Sequence, residues 1–185
     1  MTGWMHAVCQ WPLALSVIAT VPASDPAEAA PVTAVYANGF ANSWYQSPWG
    51  SGDFTWSVGQ PIQQDFGGYR YVQLTHDPVQ AQQLLRFSLR VASGLDPANQ
   101  NWYVELRGGA EQVSHGHFGF SFVGKTPNAA GYYSFEIDIS GASLGRPIDT
   151  IVFQAGTNAG PGLPNGTVGQ LNNIEFDGPT DAVTP

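Results

Sequence analysis

The stretch LLRFSLRVA (84–92) alternates strictly: Leu85, Phe87, Leu89 and Val91 are apolar, and Arg86, Ser88 and Arg90 between them are polar. A period of two sends successive side chains to opposite faces of a strand, whereas a helix would need apolar residues at spacings of three and four. The stretch therefore reads as a β-strand with one face in a core. The same pattern recurs on both sides of it. In NWYVELR (101–107), Trp102, Val104 and Leu106 alternate with Tyr103, Glu105 and Arg107. In YYSFEIDI (132–139), Tyr133, Phe135, Ile137 and Ile139 alternate with Tyr132, Ser134, Glu136 and Asp138. Further short runs lie at 32–36, 54–58, 69–75, 117–123, 148–154 and 171–176, bounded by Gly, Pro, Asn or Asp. Within 117–123, Phe118, Phe120 and Phe122 share one face.

Nine short strands with turn residues between them predict an all-β fold, a two-sheet antiparallel β-sandwich. Uneven linkers argue against an up-and-down barrel. With 22 Gly and 14 Pro in 185 residues, the composition suits many turns and does not suit a helical bundle. The one helix-like run, PVQAQQLLRF (78–87), passes directly into strand alternation, so only its start reads as a turn or bend.

The chain carries 14 acidic and 6 basic residues, a net charge of −8. The six basic residues are scattered, with no cluster to neutralise a phosphate backbone or meet an anionic membrane, so neither nucleic acid nor membrane is expected as a partner. Residues 11–22 (WPLALSVIATVP) form an apolar run too short to span a bilayer, followed by small residues in ASDPAEAA (23–30). Residues 1–30 therefore read as an export signal, although no Lys or Arg precedes the apolar run. The expected organisation is a signal peptide at 1–30, a sandwich domain at 31–178 and a tail or linker stub at 179–185, in a secreted, extracellular, monomeric protein. The only cysteine, Cys9, falls in the signal, so the exported domain would hold no disulfide.

The order VYANGF (35–40), ANSWYQSPWGSG (41–52), GYYSFEIDISGASLG (131–145), IDTIVFQAG (148–156) and LNNIEF (171–176) resembles the jelly-roll, galactose-binding-like carbohydrate-binding modules of secreted polysaccharide-degrading enzymes. The resemblance covers roughly 35–176 and implies a jelly roll that holds polysaccharide without catalysis. In that family, acidic residues near the opening and closing strands often hold a structural calcium ion. Here Ala37-Asn38 and Asn172 stand in their place. A calcium site built on Asn38 and Asn172 would rest on carbonyl oxygens without carboxylate charge, and so hold the ion more weakly. No cofactor is otherwise required.

A sugar ring offers an apolar C–H face that stacks on an aromatic plane, with hydroxyls around its rim for polar side chains. Trp44, Tyr45, Trp49 and Trp56 crowd into thirteen residues, and Trp44 and Trp49 lead as platforms. Against this, such aromatics also plug the open end of a sandwich. The outward row Tyr103, Glu105, Arg107 combines an aromatic, an acceptor and a forked donor. Tyr69 and Tyr71, with Gln73 on the same face, form a comparable row. His115 and His117 read as loop residues rather than as a metal pair, because no third ligand lies nearby. Asn165-Gly166-Thr167 fits an N-glycosylation acceptor.

Three readings follow. The first is a carbohydrate-binding domain for a β-glucan or similar cell-wall polysaccharide. The second is a glycoside hydrolase or lyase using Glu105, Glu136 or Asp138, which needs two carboxylates across the scissile bond. The third is a structural or adhesion domain with no glycan site.

Overall fold

The computed structural model describes residues 32–46, 54–68, 70–79, 83–92, 101–109, 113–141, 148–155 and 163–177. The expected signal and tail, together with Trp49 and Tyr69, lie outside these. Among the described residues ten strands run in the order β1 (Val32–Tyr36), β2 (Tyr45–Gln46), β3 (Ile62–Asp65), β4 (Tyr71–Val79), β5 (Leu84–Val91), β6 (Trp102–Gly108), β7 (Val113–Phe120), β8 (Tyr133–Asp138), β9 (Ile148–Ala155) and β10 (Val168–Asp177). They form two antiparallel five-stranded sheets. The first has the order β1-β10-β5-β8, with β3 also pairing β10, and the second has the order β2-β4-β9-β6-β7. Consecutive strands pair only at β6–β7; each other connection passes from one sheet to the other. This is a jelly-roll β-sandwich, as the alternation and the family resemblance imply.

The two inner faces meet in one core. Leu85, Phe87 and Leu89 of β5 and Leu171, Ile174 and Phe176 of β10 face Val72 and Leu74 of β4, Val104 and Leu106 of β6, and Ile151 and Phe153 of β9. Phe87 is the hub, with ring contacts to Phe120, Phe135 and Phe153 at 5.0–5.1 Å. Burial alone makes such a side chain worth about 1.5–3 kcal/mol. Gly169 is required by this packing: a Cβ there would lie 2.7 Å from the ring of buried Phe66.

Eight of the nine expected strands form, within a few residues of their expected ends. The ninth, 54–58, does not. Thr55 makes a two-bond bridge to Gln63, Phe54 turns into the core, and Trp56 and Val58 are exposed. The strand in that region is β3, whose sequence IQQD carries almost no apolar alternation. Its Gln64 is buried because its Nε2 donates to the Tyr71 carbonyl, so a tertiary hydrogen bond replaces hydrophobic patterning. The 117–123 run begins earlier than expected, at Val113. His115 therefore lies on the strand, a correction to the loop reading of the His115–His117 pair, and His117 keeps its place in the expected strand.

Asn38 and Asn172 meet, as their placement near the opening and closing strands implies. Asn38 N–H donates to Asn172 Oδ1 at 3.2 Å, and Asn172 Nδ2 donates to Asn38 Oδ1 at 2.9 Å. Both amide oxygens already accept hydrogen bonds, and the pair brings no carboxylate. The pair therefore offers a cation amide oxygens alone, the weaker donor set expected where carboxylates are replaced.

Candidate functional site

Strand parity and cross-strand register together build the outer face of the second sheet. Tyr71 on β4 stands opposite Gln154 on β9, and Gln154 opposite Tyr103 on β6. One step along, Gln73, Val152, Glu105 and His117 form the next row. The third row is Tyr45, Thr75, Thr150, Arg107 and Ser114. The face thus joins three tyrosines to glutamine, carboxylate, guanidinium and imidazole groups drawn from five strands.

Glu105 is the centre of its polar network. Its side chain is only 10% exposed, although it sits on an outer face. Arg107 Nη2 donates to Glu105 Oε2 at 2.6 Å, and His117 Nε2 lies 3.2 Å from Glu105 Oε1. Ser114 adds a third hydrogen bond. Burial pushes the Glu105 carboxyl upward, but the hydrogen bonds from Arg107 and Ser114 and the charges of Arg107 and His117 outweigh it, holding the group below the usual glutamate range. Glu105 is ionised at neutral pH and spends its oxygens on orienting Arg107 and His117. The Glu105 hydrogen bond in turn raises the Arg107 pKa above its ordinary value and holds the guanidinium charged. Arg107 retains 29% exposure and so presents donors to solvent.

The aromatic part is fixed by the same register. The Tyr103 hydroxyl donates to Gln154 Oε1. Its ring stacks on His117 at 5.4 Å with an interplanar angle of 11°. Burial first, then the Glu105 charge, raises the Tyr103 hydroxyl above its usual value, so it remains a hydrogen-bond donor. Chemically, the arrangement offers aromatic rings beside oriented donors and acceptors, which is what a polyhydroxylated ring requires.

Of the residues expected from sequence, Tyr71, Tyr103, Glu105 and Arg107 come together here. Tyr69 and Trp49 lie outside the described residues. Trp44 does not belong to the face: it is 2% exposed, stacked on His76 at 4.9 Å and packed on Phe176 at 6.0 Å, and so is a core residue rather than a platform. Its neighbour Tyr45 is 50% exposed. His117 and Gln154 were missed. The parity of their own strands would put both outward, but their partners follow only from register. A β-bulge at His115 separates the two histidines: His117 opposes Glu105, while His115 is the extra residue between Ser114 and Gly116. Among the described residues no group of three or more His, Cys, Asp or Glu side chains is placed to hold a metal ion.

A scan against protein-family models and a search of curated proteins both give no match. Solved structures do match. One variant of CBM29-2, a family 29 carbohydrate-binding module, is 19% identical, with a TM-score of 0.55 over 84% of this chain and 99% of that one. Another variant of CBM29-2, complexed with cellulohexaose, is 19% identical, with a TM-score of 0.54 over 85% and 99%. CBM29_1 from Piromyces equi is 13% identical, with a TM-score of 0.51 over 83% and 94%. At these identities the likeness is one of fold, and it covers nearly the whole of the solved chains.

Proposed function

We propose that this chain is a non-catalytic carbohydrate-binding module that holds a β-glucan or similar polysaccharide across the outer face of its second sheet. The observation that carries the reading is the row Tyr71–Gln154–Tyr103 above the Glu105–Arg107–His117 network. The rings supply stacking surface. Arg107 and Gln154 are held in place before any ligand arrives, which lowers the ordering cost of binding. The complex of a fold neighbour with cellulohexaose makes a β-1,4-glucan the first ligand to try. The apolar run near the N-terminus supports an extracellular location, and the module is taken to act as a monomer.

The carboxylates argue against hydrolysis. Glu105 lies on β6 of one sheet, while Glu136 and Asp138 lie on β8 of the other. Glu136 is paired with Arg86 at 2.7 Å. Hydrogen bonds from Ser140 hold Asp138 below its ordinary range, and Glu105 is also lowered, so neither is kept protonated as a general acid.

Affinity electrophoresis through gels containing hydroxyethylcellulose, xyloglucan or glucomannan tests the reading. Retardation by at least one of them is expected, together with its weakening in Tyr103→Ala. Unretarded migration with all three, and no tryptophan fluorescence change, would remove the proposal.

A further inference from the structure

Trp56 takes no part in the face described above. It is 41% exposed, and its ring is braced edge-on by Phe40 at 4.7 Å. Phe40 is braced in turn by Tyr36 at 5.1 Å, whose hydroxyl donates to the Gln60 carbonyl at 2.6 Å. The indole is thus a solvent-facing plane on a rigid mount. Beside it lies a cavity of about 200 Å³ lined by Trp56, Ser57, Gln60, Gln63 and Gln170, among others. That is below the roughly 300–1,000 Å³ of sites for drug-sized ligands, and suits one sugar unit rather than a chain.

The polar wall of this cavity is set by a relay across the outer face of the first sheet. Gln63, Gln170 and Arg90 are in register on β3, β10 and β5. Arg90 Nη2 and the Tyr132 hydroxyl both donate to Gln170 Oε1, which fixes the orientation of that amide. Gln170 Nε2 must then face Gln63, and it donates to Gln63 Oε1 at 3.1 Å. This leaves the Gln63 Nε2 group as a donor toward the cavity that Gln63 lines. Arg90 is itself held, by the Ala130 carbonyl at 3.2 Å and over the Tyr132 ring at 5.3 Å. A braced aromatic plane beside an amide of dictated orientation has the same elements as the first site, on the opposite side of the sandwich.

We propose that the Trp56 cavity is a second glycan site, taking a single sugar unit against the indole with its hydroxyls on Gln63 and Gln170. This rests on the carbohydrate reading and extends it. The two sites sit on outer faces of sheets that pack about 10 Å apart, so one bound sugar cannot reach both. The module is then bivalent and bridges two glycan strands, gaining avidity without new contacts.

The test is a titration of the 15N-labelled chain with cellohexaose, following the Trp56 indole N–H, the Gln63 and Gln170 side-chain amides, and the backbone of Tyr103 and Arg107. Mannohexaose and xylohexaose serve as parallel probes. Shifts are expected at both sets of signals, with those of Trp56 and Gln63 persisting in Arg107→Ala. Trp56→Ala and, with less risk to folding, Gln63→Ala should reduce the stoichiometry from two sugars to one while Tyr103 still responds. Shifts confined to Tyr103 and Arg107 would overturn the second site and leave the first standing. Shifts confined to Trp56 and Gln63 would support it and overturn the first. Silence at both sets with all three probes would overturn both.

Discussion

Glu105 on one outer face and Glu136 on the other each pair with an arginine, at 2.6 and 2.7 Å. Their surroundings differ: the Glu105 side chain is 10% exposed and that of Glu136 is 57% exposed. The cause is position in the sheet. Glu105 is on β6, flanked by β9 and β7, and has Arg107, His117 and Ser114 around it. Glu136 is on β8, an edge strand with a neighbour on one side only, so water reaches it. The same residue pair therefore does different work. A solvated ion pair contributes little and tolerates loss, whereas a desolvated one holds its partner in a fixed geometry and is costly to break.

Removing one arginine from each face probes that difference most directly. Arg107→Ala strands the Glu105 carboxylate and should lower unfolding free energy by about 2 kcal/mol, read from the urea midpoint, while weakening retention on polysaccharide. A loss as small as that of the exposed pair would show that Glu105 is better hydrated than its geometry implies. Tyr103→Ala removes stacking surface but no charge partner. We expect at least about a tenfold fall in glycan affinity with about 1 kcal/mol of destabilisation, separable by calorimetry and denaturation. Arg86→Ala breaks contacts to both Glu136 and Asp177, yet on the solvated face it should cost only about 0.5–1 kcal/mol and leave retention unchanged. A double-mutant cycle of Arg86 with Glu136 should therefore give a coupling smaller than that of Arg107 with Glu105, and one that added salt reduces further.

The acid response is the finest discriminator. The folded Glu105 carboxyl titrates below its unfolded value of about 4.3, so its contribution is complete above that value and is lost as pH falls through the folded one. Stability and retention should be flat from neutral pH to about 5 and decline in more acid solution. Asp65 and Asp138 are also lowered: burial raises Asp65 but hydrogen bonds from Gly67 and Gly166 and the Arg70 charge prevail, and Ser140 lowers Asp138. Glu105→Gln should therefore flatten only part of the decline in stability, but all of the decline in retention. An unchanged acid profile in that variant would assign the effect to the two aspartates.

Parity along a single strand was enough to place Tyr71, Tyr103, Glu105 and Arg107 on outer faces and Phe87, Val104 and Phe135 in the core, because in a strand the facing of a side chain depends only on its own position. The same local logic failed where burial came from elsewhere. FTWSV has apolar spacing but makes a single bridge, and IQQD lacks that spacing but forms β3. Trp44 sits among turn residues as an exposed platform would, yet His76 and Phe176 enclose it. His117 carries no sign in sequence that it will stand against Glu105.

The sequence by itself determined the strand character, the β-sandwich class and the outward polar row, all of which depend on residue type and local period, and the family resemblance added the jelly roll. Only the tertiary structure decided which strands lie side by side, and hence that Glu105 is desolvated, that Arg107 and His117 converge on it, and that Gln63 and Gln170 flank Trp56. Gln63 and Gln170 alone lie 107 positions apart. Register between such distant segments is set by how two whole sheets pack together, which no local pattern encodes.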